Sequence, residues 1–259
     1  DNKLINCMGM ASEDMWNRPM SPISRCSDDF LPENRPWFTK HILQCSYNSM
    51  IQGQFIICDW DMWWTGDTQA LKNSVLRAIS GGPIYVSDKL WESHGEILKP
   101  LVLSDGRILR CDRPAMPSRD CVTENPEKSG KPFKVQNICS GSGVVAAFNL
   151  DNTGRSVSGT VSPKDVEGLD GDEFALYEYF SGDWFIVDRD AAVEFVLPDS
   201  DTFRLYIIVP VNDGFAPIGL TEKMISPKSI IHEPDGSITA RDHGTYAYIR
   251  NGVFYTEEK

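Results

Sequence analysis

The chain has 259 residues, 41% of them hydrophobic and 24% charged, with a formal net charge of −12 at pH 7. That length holds one large domain or two ordinary ones with an ample core. The acidic balance argues against nucleic acid, whose phosphates demand basic patches, and no apolar run reaches the roughly 18 to 20 residues of a membrane span; a neutral polar partner fits better.

The sequence opens with neither an initiator methionine nor a secretory signal, so the natural N-terminus is expected elsewhere. Residues 4–8 and 23–26 read as short strands. Pro36 then opens a helical run with Phe38, Ile42, Cys45 and Ser49 on one stripe and Leu43, Tyr47, Met50 and Ile51 on the next, stopped by Gly53. Residues 55–58 predict a strand. Asp67 or Thr68 is the expected cap of a helix in which Leu71, Val75 and Ile79 recur before Gly81-Gly82 ends it. A strand over 83–86 and a helix over 96–102 complete this half. Strands about 30 residues apart with helices between them mean βα units and a parallel sheet, whose carboxyl ends converge. Asp28, Asp29, Asp59, Asp61 and Asp88 would then share one rim.

Near Asp105 the character changes to short β-rich runs, at 144–150, 174–179, 184–187, 192–197, 203–211, 237–240 and 246–249, separated by Gly-Asp, Asn-Asp-Gly and Pro-Asp-Gly turns. Alternation such as Phe203-Arg-Leu-Tyr-Ile suits antiparallel sheets stacked as a sandwich. The expected organisation is α/β over 1–104 followed by an antiparallel β-domain over 105–259, joined by the Pro-, Arg- and Ser-rich stretch 113–132. All seven cysteines, at 7, 26, 45, 58, 111, 121 and 139, precede residue 140. Their odd count and wide spacing argue against a disulfide scaffold or zinc site, and buried free thiols in a reducing, cytoplasmic setting are the expectation.

Two acid pairs carry the chemistry. The first follows Arg25-Cys-Ser-Asp28-Asp29, where a carboxylate beside an arginine and a second carboxylate has a tunable proton affinity. The plainer alternative is that Asp28 or Asp29 caps the following loop. The second, Asp59-Trp60-Asp61, lies among Trp63 and Trp64. Acids accept hydrogen bonds from sugar hydroxyls and aromatic rings pack on C–H faces; a Trp-rich strand end also serves as core. The four histidines, at 41, 94, 232 and 243, show no metal spacing, and no cofactor is called for. Ser140-Gly-Ser-Gly143 fits a hairpin turn and Asp170-Gly-Asp172 a simple turn.

Several of these segments, in order, resemble the raffinose synthase and α-galactosidase family: Ser24-Arg-Cys-Ser-Asp-Asp-Phe30, Asp59-Trp-Asp-Met62, Ala78-Ile-Ser-Gly-Gly-Pro-Ile-Tyr-Val-Ser-Asp-Lys89, Leu101-Val-Leu-Ser-Asp-Gly-Arg-Ile-Leu-Arg110, Pro117-Ser-Arg-Asp-Cys121 and Ala216-Pro-Ile-Gly-Leu220. The resemblance runs through residues 1–150 and thinly to about 231. It implies the second half of a (β/α)8 TIM barrel followed by an antiparallel β-sandwich, acting on α-galactosides by a retaining mechanism with two carboxyl groups about 5 to 5.5 Å apart. By motif position the acid/base falls on Asp29, with Asp28 as competitor. Arg25 matches the arginine that holds a sugar hydroxyl near that acid, and Asp61 and Met62 match the galactose-contacting strand end, supported by Asp59 and Trp60. The family's nucleophile follows a Lys-x-Asp on an earlier strand that has no match here: Lys164-Asp165 falls in the β-rich half and Asp88-Lys89 has the wrong order. The implied partners are therefore an α-galactoside or oligosaccharide and the missing first half of the barrel, on the same polypeptide or a separate subunit. Hydrolysis, galactosyl transfer as in raffinose synthesis, and a non-catalytic sugar-binding or vestigial role are the readings left open.

Overall fold

A computed structural model describes residues 4–18, 21–233 and 235–259. Its first half is built on three parallel strands in chain order, β1 (Ile5–Asn6), β2 (Ile23–Arg25) and β3 (Ile57–Asp59). Ile5 lies opposite Ile23, Ser24 opposite Cys58, and Arg25 opposite Asp59. The last pair puts a cation and a carboxylate side by side at the carboxyl ends of neighbouring strands. A short helix, α1 (Ser12–Trp16), follows β1; α2 (Trp37–Gln52) links β2 to β3; α3 (Ala70–Ser80) and α4 (Gly95–Leu98) follow β3.

The expected stripe of α2 is buried in full, at Phe38, Ile42, Cys45 and Ser49. The two serines on the core side are satisfied within the helix: Ser46 Oγ donates to the Ile42 carbonyl at 2.6 Å and Ser49 Oγ to that of Cys45 at 2.8 Å. Gly53 ends the helix in right-handed conformation, and glycine is needed there for space, since a Cβ would meet the Ser49 carbonyl oxygen at 2.5 Å and Pro114 Cβ at 2.7 Å.

Three expectations for this half need correction. Residues 83–86 form no strand, because no neighbouring strand pairs with them; the nearest backbone bond runs from Ser87 N–H to the Trp63 carbonyl. Helix α3 is not a one-striped amphipath: Leu71 is exposed, while Lys72, Asn73, Ser74 and Arg77 are buried with Val75 and Ile79, because antiparallel strands pack on it as well. Neither Asp67 nor Thr68 caps α3; the N-cap is Gln69, whose own N–H is held by Asp67 Oδ1 at 2.7 Å.

The second half is antiparallel. Strands β4 (Met116–Pro117), β5 (Phe133–Cys139), β6 (Ser142–Phe148), β8 (Glu173–Glu178), β9 (Trp184–Asp188) and β11 (Phe203–Pro210) form one sheet in the order β4-β5-β6-β11-β8-β9. β7 (Val157–Val161) pairs with β10 (Val193–Leu197); β12 (Phe215–Leu220), β15 (Thr245–Arg250) and β16 (Val253–Glu258) form a third sheet; β13 (Ile230–His232) and β14 (Ile238–Ala240) make a hairpin. Strands 133–139, 157–161, 215–220, 230–232 and 253–258 were not anticipated from alternation. In β5 the reason is physical: as in its neighbour β6, every residue is buried, so both faces are apolar or internally paired and the period-two pattern vanishes. The turn between them, at Ser140 and Gly141, has positive φ at both positions (51° and 80°), as a tight hairpin requires. The first residue of the Pro-Asp-Gly turn at 234–236 lies outside the described residues.

One face of the six-stranded sheet (Val145, Ala147, Phe174, Leu176, Ile208) packs on β7 and β10. Its other face (Ala146, Phe148, Ala175, Leu205, Ile207) belongs to a core that also takes in Ile42, Val75, Ile79, Leu101, Leu103 and Leu109. The core is thus continuous across residue 104.

Candidate active site

Arg25 is the hub. It ends β2 with its side chain 7% exposed, and its guanidinium joins two acids: Nη2 lies 2.7 Å from Asp29 Oδ1 and Nη1 3.4 Å from Asp61 Oδ2. Burial works against the charged guanidinium, but Asp61, Asp29 and Cys7 together raise its proton affinity above the ordinary value. Its Nε is buried without a hydrogen-bond partner among the described residues.

Asp29 is the exposed acid, with a side chain 67% open to solvent. Its backbone is fixed from two sides: Trp37 Nε1 donates to the Asp29 carbonyl at 2.7 Å, and the next N–H, of Phe30, donates to Asp61 Oδ2 at 2.6 Å. Asp28 is differently placed. Gln44 of α2 accepts its N–H and donates to its Oδ2, both at 2.9 Å, tying that carboxylate to the helix. Behind the pair, buried His41 Nε2 lies 3.1 Å from Ser27 Oγ.

Asp61 is buried and takes φ +66°, a left-handed backbone uncommon outside glycine, asparagine and aspartate. Its N–H donates to Asp59 Oδ1 at 3.0 Å and its carbonyl accepts from Arg77 Nε at 3.2 Å. Asp59 is fully buried, and Tyr85 donates its hydroxyl to Asp59 Oδ2 at 2.8 Å. Burial raises the Asp59 carboxyl above the usual range, against the pull of those two hydrogen bonds. Met62 is half-buried, and its carbonyl accepts from Arg77 Nη2 at 3.0 Å.

The structure therefore brings Arg25, Asp29, Asp59 and Asp61 together at the carboxyl ends of β2 and β3. It places Trp60 elsewhere: that ring is fully buried, with Nε1 donating to Ser49 Oγ at 2.9 Å, and offers no face to a ligand. Trp63 is also fully buried, whereas Trp64 is partly exposed and donates to Ser87 Oγ at 3.0 Å. Asp88 is occupied by Thr65, accepting its N–H and its hydroxyl at 2.7 Å each, so it orders a loop.

Sequence reasoning missed Arg77, Tyr85 and Gln44. Arg77 is fully buried under Phe30, with its guanidinium 5.7 Å from that ring, and holds the strand end through the Asp61 and Met62 carbonyls. A cation two residues from Val75 and Ile79 on a helix was the signal available for it.

The arrangement is an exposed carboxylate in water, a buried guanidinium beside it and two buried carboxylates that set the loop and strand. Residues 1–234 match the family model described as raffinose synthase or seed imbibition protein Sip1. A galactinol–sucrose galactosyltransferase of Oryza sativa subsp. japonica is 36% identical over a gapped alignment 238 positions long that covers 78% of this chain and 30% of that protein. Stachyose synthase of Pisum sativum is 32% identical over a gapped alignment 222 positions long that covers 74% of this chain and 26% of that protein. The chain spans between 26% and 36% of the length of the curated relatives it matches. Two solved structures from Bacteroides fragilis NCTC 9343, of proteins described as α-galactosidases, superpose with TM-scores of 0.51 and 0.50 at 16% and 15% identity. They cover 79% and 78% of this chain and 46% of each of theirs, a likeness of fold alone.

Proposed function

Since this chain belongs to the raffinose synthase or seed imbibition protein Sip1 family, we propose that it is the C-terminal part of a retaining enzyme that acts on α-galactosides. In this reading residues 1–104 are the second half of a (β/α)8 barrel and 105–259 an antiparallel β-domain. The three parallel strands with Arg25 and Asp59 in register at their carboxyl ends support it. So do the exposed apolar side chains Leu4, Ile5, Met8 and Trp91, which suit a covering segment.

The observation that carries the site is Arg25 bridging an exposed Asp29 and a buried Asp61. Asp29 gives its proton to the glycosidic oxygen as the bond to the anomeric carbon breaks and an upstream carboxylate, outside this chain, bonds to that carbon. Asp29 then takes a proton from the incoming hydroxyl as that second bond is displaced. Arg25 and Asp61 orient the galactosyl hydroxyls. Relatives named galactosyltransferase and stachyose synthase favour a sugar acceptor over water in the second step. The six buried thiols suit a reducing, cytoplasmic compartment.

The test is Asp29→Asn in the full polypeptide. Turnover of an unactivated α-galactoside should fall by about 10²- to 10⁴-fold, and that of a nitrophenyl α-galactoside, whose leaving group needs no proton, much less. Equal losses on both substrates remove Asp29 from the acid role; the split appearing in Asp28→Asn instead moves the role to Asp28.

A further inference from the structure

Strand β2 ends at Arg25, and among the described residues the segment 26–29 makes one backbone–backbone bond, from Cys26 N–H to the Asp59 carbonyl at 3.1 Å. Side chains of α2 hold the rest of it. Asn48 donates to the Cys26 carbonyl, and His41 Nε2 lies 3.1 Å from Ser27 Oγ. Gln44 bonds both the N–H and the carboxylate of Asp28, and Trp37 Nε1 donates to the Asp29 carbonyl. Positions 37, 41, 44 and 48 are four, three and four residues apart, so they share one face of the helix.

This polar stripe is distinct from the buried one. Phe38, Ile42, Cys45 and Ser49 already anchor α2 in the core, so the helix does not depend on the polar stripe for its place. His41 is buried, and Trp37, Gln44 and Asn48 are half-buried. Ordering and desolvating four such side chains costs free energy, and all four converge on the one short segment that ends in Asp29. That acid needs outside support: its side chain is 67% exposed, so packing cannot fix it. From the other side, Phe30 N–H donates to Asp61 Oδ2 and Glu33 N–H to Asp67 Oδ2, both at 2.6 Å. The acid's loop is thus gripped between α2 and the segment that follows β3.

We propose that Trp37, His41, Gln44 and Asn48 are positioning residues for the proton transfer. They fix where Asp29 stands relative to the glycosidic oxygen, and Gln44 keeps Asp28 turned to the helix and out of the reaction. The proposal rests on the reading of Asp29 as acid/base. Reacting groups must be held to within about 0.5 Å, and a misplacement of about 1 Å can cost about a hundredfold in rate. A device of this kind acts on the proton-requiring step alone, which separates it from a general structural role.

Comparison of kcat/KM for raffinose and for a nitrophenyl α-galactoside, in the full polypeptide, tests it. Trp37→Phe keeps an aromatic ring and removes the Nε1 donor; Gln44→Met keeps the chain length and removes both bonds to Asp28. Each should lower the raffinose value about tenfold and the nitrophenyl value less than about twofold, because the activated leaving group needs no proton. In an Asp29→Asn background Trp37→Phe should cost less than about twofold, since the group it positions is gone. Melting temperatures near that of the wild type are expected, and if one variant fails to fold the other decides. Equal losses on the two substrates, no loss on raffinose, or an undiminished loss on top of Asp29→Asn would overturn the proposal and leave the acid role of Asp29 standing. If Asp29→Asn itself shows no difference between the substrates, the acid role falls, and this proposal with it.

Discussion

At the residue scale, Asp59 shows how a buried acid is maintained inside a site. Burial favours its neutral form, while the Tyr85 hydroxyl and the Asp61 N–H favour the carboxylate. Because the folded-state pKa lies above the unfolded one, the native protein binds this proton more tightly. The associated stability is present at low pH and lost as pH rises through the folded value. Tyr85→Phe withdraws a donor from the ionised form and pushes that pKa further up. It should cost about 1 to 2 kcal/mol at pH 7 and less at pH 4, measured by urea denaturation at both. Equal losses at the two pH values would mean that the phenol serves only packing. Asp29, Asp28, Arg25 and Asp61 were all legible as candidates from their spacing after strand-like runs. Arg77 and Tyr85 were not, because their importance comes from contacts to backbone carbonyls and a buried acid distant in sequence.

At the element scale, the end of α3 depends on backbone geometry. Gly81 sits at φ +74°, and a Cβ there would stand 1.9 Å from the Arg113 carbonyl oxygen. Gly106 shares the left-handed conformation, at φ +85°, with nothing within 4 Å of such a Cβ. Gly81→Ala should therefore cost more than about 2 kcal/mol and Gly106→Ala only about 1, the price of the left-handed backbone alone. Comparison of their melting transitions checks this; similar costs would show that Arg113 moves aside freely. The Gly81-Gly82 stop was readable from sequence, as were both major helices. The strand expected over 83–86 was not realised, since a strand exists only where a neighbour completes its ladder.

At the scale of the whole molecule, buried cations join the two halves, and Lys72 is the one whose proton affinity is shifted furthest down. Lys72 of α3 donates to the Ser200 carbonyl at 2.6 Å, between β10 and β11, and lies 4.1 Å from the Phe38 ring centroid. Burial pushes its ammonium down to about 8, although Asp201 pulls the other way. The unfolded chain holds this proton up to the ordinary value of 10.5. Between pH 8 and 10.5 the unfolded state thus binds more protons, and the Lys72 contribution makes stability rise with pH across that window. Lys72→Met should remove the rise, gaining on the wild type by up to about 3 kcal/mol at pH 7 and losing the advantage by pH 10.5. Parallel urea titrations in pH measure it; identical slopes would show that the ammonium is well solvated.

What the sequence by itself determined was local or periodic: the βα order of the first half, the main helices, the antiparallel character of the second, and the arginine and acids at two strand ends. Backbone propensity, capping and side-chain period operate over a few residues, so a single chain displays them. Only the tertiary structure decided which acid stays exposed. It left Asp29 in water, engaged Asp28 with Gln44 and Asp88 with Thr65, and turned Trp60 into the core. Those outcomes follow from burial and from hydrogen-bond partners brought from 16, 23 and 11 residues away, which no local pattern records.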